Sequence, residues 1–335
     1  MRSLCLILGL VVACEGGSDG RHPAAPEQGG TSSAAGSTAR AGSAAKPDAG
    51  QAGEAELLGG ADGEGGAAGE PPIIYEMGGL PQNMPGVCDP EMKLGEPQAQ
   101  DVGVSGATLL AMSSDELSVV FTTGADETLA LHVGDRASVE ADFSVQTVSL
   151  PVGYAASQGV ALSGDARKLV VVRDDGSGFA ELSRDARPGS FGDQPDETRF
   201  AKINGLRPMS GESVGWPVLS SDGQALYFVS YFGQARVKQS ALEAGEFSIG
   251  EPIDEFTLGG ALGEHKLLSG ISADQRAIFF FDQATSHAMA LFRSRPDAPF
   301  YEPLDLGERQ GAAPNQDCSR IYSSTGSGIV FQSIE

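Results

Sequence analysis

The chain has 335 residues, of which 40% are hydrophobic and 20% charged, and its formal net charge is −23. That length holds one large domain or two small ones, with enough apolar residues for a packed core. The acidity, with no stripe of Lys and Arg, argues against a nucleic-acid partner, because phosphate binding needs clustered cations. It fits a solubilising acidic surface, with a cation-binding surface as the alternative.

The first residues read MRSLCLILGLVVACEGG. Arg2 supplies a positive start, and Leu4 to Val12 an apolar run too short to span a bilayer as a mature helix. It ends at Val11-Val12-Ala13-Cys14, which resembles a bacterial lipobox. The resemblance implies a lipoprotein signal peptide over 1–13 and lipidation of Cys14, hence a membrane anchor in the cell envelope. An ordinary secretory signal with an incidental Cys is the other reading. Glu15, not Asp, follows the Cys, and by resemblance to enterobacterial sorting this favours the outer membrane. Residues 14–72 are dominated by Gly, Ala, Ser, Glu and Pro, with Leu57 and Leu58 the exceptions. Such a segment cannot bury enough surface to offset its ordering entropy. A disordered tether is expected, with a root-mean-square reach of roughly 40 Å.

From about residue 73 to 335, apolar and aromatic residues come in short clusters between turn residues, which predicts an all-β domain. Five stretches repeat in register: AMSSDELSVVFTT, ALSGDARKLVVVR, VLSSDGQALYFVS, GISADQRAIFFFD and APNQDCSRIYSST. Their shared acid is Asp115, Asp165, Asp222, Asp274 and Asp317, at spacings of 50, 57, 52 and 43 residues. Ser or Asn stands two positions before each Asp, and an aliphatic residue four positions after. Asp in a turn accepts backbone N–H bonds and closes a hairpin. The strand that follows is apolar on consecutive positions, so both its faces are covered.

A period near 50 residues with about four strands per period predicts a β-propeller, here five-bladed. The repeat resembles the TolB-type, WD-like propeller repeat, although only Asp222-Gly223 keeps the Asp-Gly pair and no turn contains Pro. The last copy runs out before a fourth strand. PEMKLGEPQ, residues 90–98, resembles FSIGEPI of blade three, so an N-terminal strand is expected to close the last blade. Cys88 precedes that strand and Cys318 lies in the first turn of the blade it joins, which predicts a disulfide in an oxidising compartment.

No catalytic or metal signature emerges. Gly211-Glu212-Ser213-Val214-Gly215 fits G-x-S-x-G, but a strand rather than a helix is expected after it. His22, His132, His265 and His287 have no ligand spacing, and neither a metal nor a cofactor is expected. Asp174-Asp175-Gly176-Ser177-Gly178 reads as a hairpin turn rather than a calcium loop. The leading reading is a monomeric binding or scaffolding module for an envelope protein, peptide or glycan; the alternative is a glycoside hydrolase or lyase. Loops joining second to third strands, and blade to blade, share one end and are expected to carry the ligand site. The candidates there are Arg173, Asp174, Asp175, Arg207, Trp216, Tyr231, Phe232, Asp282 and His287.

Overall fold

A computed structural model describes residues 87–335 except 126–127, 233 and 254–265. Cys14, the expected signal peptide and tether, the stretch 73–86, and His22 and His265 lie outside the described residues.

Five small antiparallel sheets form the ring. Strand β1 (Gln98–Ala99) belongs to the last of them. Blade one is β2 (Thr108–Met112), β3 (Ser118–Thr123), β4 (Ala130–Asp135) and β5 (Ser144–Val148). Blade two is β6 (Tyr154–Leu162), β7 (Lys168–Arg173) and β8 (Phe179–Ser183). Blade three is β9 (Ser213–Leu219), β10 (Ala225–Phe232) and β11 (Gln234–Glu243), edged by β12 (Glu246–Phe247) and β13 (Glu251–Pro252). Blade four is β14 (Lys266–Ile271), β15 (Ala277–Asp282), β16 (His287–Phe292) and β17 (Tyr301–Glu308). Blade five is β18 (Gln310–Pro314), β19 (Arg320–Thr325), β20 (Gly328–Ser333) and then β1. The innermost strands follow one another round an axis, with β18 against β2 completing the circle. The chain is a five-bladed β-propeller.

The core lies between blades. In β7, Leu169 and Val171 join the cluster shared with blade one, while Val170 and Val172 join the cluster shared with blade three. All four are fully buried. This is why the second strands are apolar at successive positions: each face packs on a different neighbour.

The repeated turn is a hydrogen-bonded device. Ser113 Oγ donates to Asp115 at 2.7 Å, and Ser163, Ser220 and Ser272 donate to Asp165, Asp222 and Asp274 at 2.6 Å. Each Asp accepts the N–H two residues on, and each Ser Oγ accepts the N–H five residues on. In blade five Asn315 replaces Ser and takes the Arg320 N–H on Oδ1 at 3.0 Å. The residue after each Asp is left-handed: Glu116, Ala166, Gly223, Gln275 and Cys318 have φ between 52° and 67°.

A second repeated device was not anticipated. Arg136, Arg184 and Arg293 each donate Nε to the carbonyl of that left-handed residue, at 2.7, 2.7 and 2.8 Å. Their guanidinium groups lie 4.5, 4.7 and 4.5 Å from the rings of Phe143, Phe191 and Phe300, seven residues on in each case. They also reach the preceding blade. Arg184 grips Asp135 with two bonds of 2.5 and 2.8 Å, and Arg293 donates to the Tyr227 hydroxyl at 2.8 Å. In blade three the arginine comes from elsewhere: Arg199 donates to the Gly223 carbonyl at 3.1 Å and stacks on Phe247 at 4.9 Å.

Ring closure follows the expected route, shifted along the chain. Strand β1 pairs with β20, Gln98 opposite Phe331 and Ala99 opposite Val330. Upstream, Leu94 bridges Ile334, and the Glu335 N–H reaches the Lys93 carbonyl at 2.9 Å. Pairing therefore spans 93–100 rather than 90–98. Cys88 and Cys318 are disulfide-bonded, with Cα atoms 5.2 Å apart.

Two blades depart from four regular strands. The outer edge of β11 is shared by β12 and β13. Blade two has three strands; along its edge Asp196 exchanges two bonds with Glu181, and the Gly192 N–H reaches the Ser183 carbonyl at 2.8 Å. Beyond it come a 3-10 turn (Thr198–Phe200) and helices α1 (Ala201–Asn204) and α2 (Leu206–Ser210), in a stretch read as β or loop. Each is about one turn, too short for a helical period to show. Phe200 and Ile203 are buried there against Phe179, Phe228 and Phe247.

Candidate ligand-binding face

The ring has two unlike ends. One carries the five Asp turns and the disulfide. The other carries the loops between second and third strands and the blade-to-blade connections. Four of the five exposed large apolar side chains among the described residues lie at this second end: Val104, Val152, Met209 and Phe232. Val152 is fully exposed and Met209 is 81% exposed. They sit in the connections β1–β2, β5–β6 and β8–β9 and at the end of β10.

At the same end the axis opens into a cavity of about 370 Å³. Its wall includes Leu110, Val160, Trp216, Leu268 and Phe281, with Thr122, Ser157, Gln283 and Gln310 supplying neutral polar groups. Below it the channel narrows to a void of about 50 Å³. A break in strand register recurs in every innermost strand. It falls at Leu110, between Ala155 and Val160, between Gly215 and Val218, at Ser269, and between Gln310 and Ala313. Such bulges re-aim side chains at a rim. Here they turn Leu110, Trp216 and Ser269 toward the axis.

Trp216 is held from two sides. Its indole lies beside the Tyr231 hydroxyl. Gly159 lies flat against its ring, where an added Cβ would stand 2.9 Å from Cε3. Its φ of 50° is a left-handed conformation that a bulky residue rarely adopts. Burial pushes the Tyr231 phenol up to about 12, partly offset by the indole.

All nine sequence candidates lie at this end. Arg173, Asp174 and Asp175 border a separate pocket of about 360 Å³ on blade two, with Val152, Tyr154 and Glu197. There Glu197 collects a hydrogen bond of 2.5 Å from Tyr154 and an ion pair with Arg173. Burial raises the Glu197 carboxyl, but these bonds outweigh it and hold it below the usual carboxylate range. Burial and the Glu197 charge push the Tyr154 phenol up to about 12. Arg207 on α2 joins this group through a 2.9 Å ion pair with Asp175. Tyr231 is half-buried behind Trp216, and Phe232 stands 66% exposed.

Two candidates, Asp282 and His287, are not among the residues of the cavity wall. Asp282 is buried and ion-paired with Lys266, because strand alternation aims Phe281 and Gln283 at the cavity and Asp282 away from it. His287 is bonded by Asp305 through Nδ1 at 2.8 Å. Ser213 begins β9 directly after helix α2, the reverse of the strand-then-helix order a nucleophile elbow needs. His132 stacks on Phe121 at 5.2 Å, and its Nε2 bonds Thr123 at 2.9 Å. Among the described residues no three His, Cys, Asp or Glu converge as a metal site.

No protein-family model matches the chain, and no curated protein is similar to it. Solved structures are similar only distantly. A chain of the nidogen/laminin complex is 15% identical, with 65% of this chain and 72% of that one covered and a TM-score of 0.38. Hydrazine synthase of Kuenenia stuttgartiensis is 12% identical, over 65% of this chain and 55% of that one, with a TM-score of 0.36. A functionally unknown protein of Desulfotomaculum acetoxidans is 12% identical, over 67% and 71%, with a TM-score of 0.39. Likeness at this level carries no functional argument.

Proposed function

We propose that the chain is a binding or scaffolding module of the cell envelope. A lipid on Cys14 anchors it, residues 14–72 tether it, and the propeller presents its loop-bearing end to a protein, peptide or glycan. The pattern MRSLCLILGLVVAC supports the anchor, and Glu15 favours the outer membrane. The observation that carries the binding role is the gathering of Val104, Val152, Met209 and Phe232 at the end where the axial cavity opens. Exposed apolar residues grouped on one face mark interaction sites. The hydrolase alternative needs two facing carboxyl groups about 5–10 Å apart. The cavity wall contains no carboxylate among the described residues, which favours binding.

The test is capture from envelope extracts, with a glycan array in parallel, using the full chain and a Val152→Asp/Met209→Asp/Phe232→Asp variant. A partner or glycan held by the parent and lost by the equally stable variant supports the role. Capture that survives the three charges refutes this face. Release of a Cys14→Ser chain from the membrane fraction checks the anchor.

A further inference from the structure

We propose that the axial cavity takes an uncharged apolar group, aromatic or branched aliphatic, inserted from the loop-bearing end; this rests on the reading of that end as the binding face. The decisive feature is what the wall leaves out. Among the described residues lining it none is charged, in a chain that is 20% charged.

The exclusion is built in locally. Lys266 and Asp282 flank the wall residues Leu267 and Phe281 in sequence, yet they point elsewhere and pair with each other. Lys238 and Glu212 form a second buried pair at this end, at 2.6 Å. Arg173 and Arg207 are engaged by Glu197 and Asp175 on blade two. A charged ligand group entering the cavity would lose its water and find no counter-charge, which is costly. A neutral apolar group loses little and gains contact with Leu110, Leu268, Phe281 and the indole of Trp216. A sugar is disfavoured by the same wall, because its largest side chains are Trp216, Phe281 and five leucines, and a sugar carries more hydroxyls than Thr122, Ser157, Gln283 and Gln310 can pair. The volume, about 370 Å³, falls in the range of ligand cavities. The bulges and the left-handed Trp216 add a cost in backbone strain that the fold retains where the wall is shaped.

The group could come from a free small molecule or from a side chain of a peptide; the chemistry is shared and the test separates them. Trp216 is the chain's one tryptophan, so selective tryptophan excitation reports this cavity alone. The full chain is titrated with the neutral dye phenylnaphthylamine and with its anionic sulfonated analogue. The expected result is saturable energy transfer from Trp216 to the neutral dye, at an affinity at least about tenfold above that for the anion, or 1.4 kcal/mol. Ser157 lines the wall and is exposed, so Ser157→Asp places a charge there without disturbing the core. It should cut neutral-dye affinity about tenfold at unchanged melting temperature, and Ser157→Asn should restore it. Displacement by a capped phenylalanyl peptide assigns the group to a peptide, and displacement by naphthol alone assigns it to a small molecule. Absence of saturable transfer, equal affinity for both dyes, or displacement by a neutral oligosaccharide overturns the proposal. The two readings fail separately. An empty cavity with partner capture still lost in the three-charge variant removes only the cavity ligand. Dye binding with capture unaffected removes only the docking face.

Discussion

Asn204 completes the edge of a β-sheet with its side chain alone: Oδ1 accepts the Phe179 N–H and Nδ2 donates to the Phe179 carbonyl, both at 2.9 Å. The amide thereby does for Phe179 what Asp196 does for Glu181, and the short blade two has no open edge at these positions. Asn204→Ala should cost about 2 to 4 kcal/mol, because it strands two backbone groups. Asn204→Asp keeps the acceptor but sets a carboxylate oxygen against the Phe179 carbonyl and Glu197, so it should cost at least as much as Asn204→Ala. Gly178→Ala should repeat the loss, since its Cβ would stand 2.2 Å from Asn204 Oδ1. Urea unfolding measures all three. A change for Asn204→Ala within about 0.5 kcal/mol, the ordinary range for surface substitutions, would contradict the assignment.

Arg184 and Asp135 tie blade two to blade one while almost fully buried. Removing one partner leaves the other charge uncompensated, so Arg184→Met should cost about 3–5 kcal/mol. The double variant Arg184→Met/Asp135→Leu should recover much of that loss. Thermal or urea unfolding of the four-member cycle gives the coupling directly. Additive losses would mean that the pair contributes only through packing.

Gly223 offers a clean measure of turn strain. It has φ 67°, and nothing lies within 4 Å of the Cβ that an alanine would add. Gly223→Ala should destabilise by about 1 kcal/mol through conformation alone. Gly326→Ala, equally open but without the left-handed backbone, is the control and should be near neutral. Equal effects at the two positions would reject the explanation.

Asp165 and Asp317, in the turns of blades two and five, set an acid limit. Burial raises the Asp165 carboxyl, but bonds from Ser163 and the Arg167 N–H prevail and hold it below 3.8. Bonds from Ser319 lower Asp317 in the same direction. A carboxylate with a depressed folded value contributes stability above its unfolded value and loses it as pH falls through the folded one. Melting temperature should therefore hold from neutrality to about pH 5 and fall below about pH 4. Asp165→Asn should lower the melting temperature at pH 7 and make the acid decline shallower. A decline that sets in near pH 6 would point to histidine instead.

The ring and its closure were legible because the turn chemistry is spelled out at Asp115, Asp165, Asp222, Asp274 and Asp317 in fixed register. The left-handed residue beside each was not, since only Gly223 carries the glycine that would announce it. The arginine–phenylalanine device is written three times, as RASVEADF, RDARPGSF and RSRPDAPF. It went unread because blade three fills the place from Arg199, and the spacing to the turn drifts between blades. Of the nine sequence candidates, Trp216 alone is among the described residues of the cavity wall. Leu110 looks like core in any one-dimensional reading, and the bulges that aim it and Ser269 at the axis leave no mark on composition. Asp282 follows Phe281 of the wall, and period-two alternation turns it away from the axis into a buried pair with Lys266. Val152, flanked by Pro151 and Gly153, was the signal available: an apolar residue in a connection too short to bury it.

Mechanical load gives the cystine a distinct role. It lies upstream of β1, so tension arriving from residues before Cys88 passes by covalent bond into Cys318 and the rest of blade five. The two short hydrogen-bonded ends that close the circle are shielded from peeling, and Cys88 joins blade five at the pole opposite the open mouth. A pull applied at Cys88 should therefore load the Asp317 turn of blade five before β1 parts from β20.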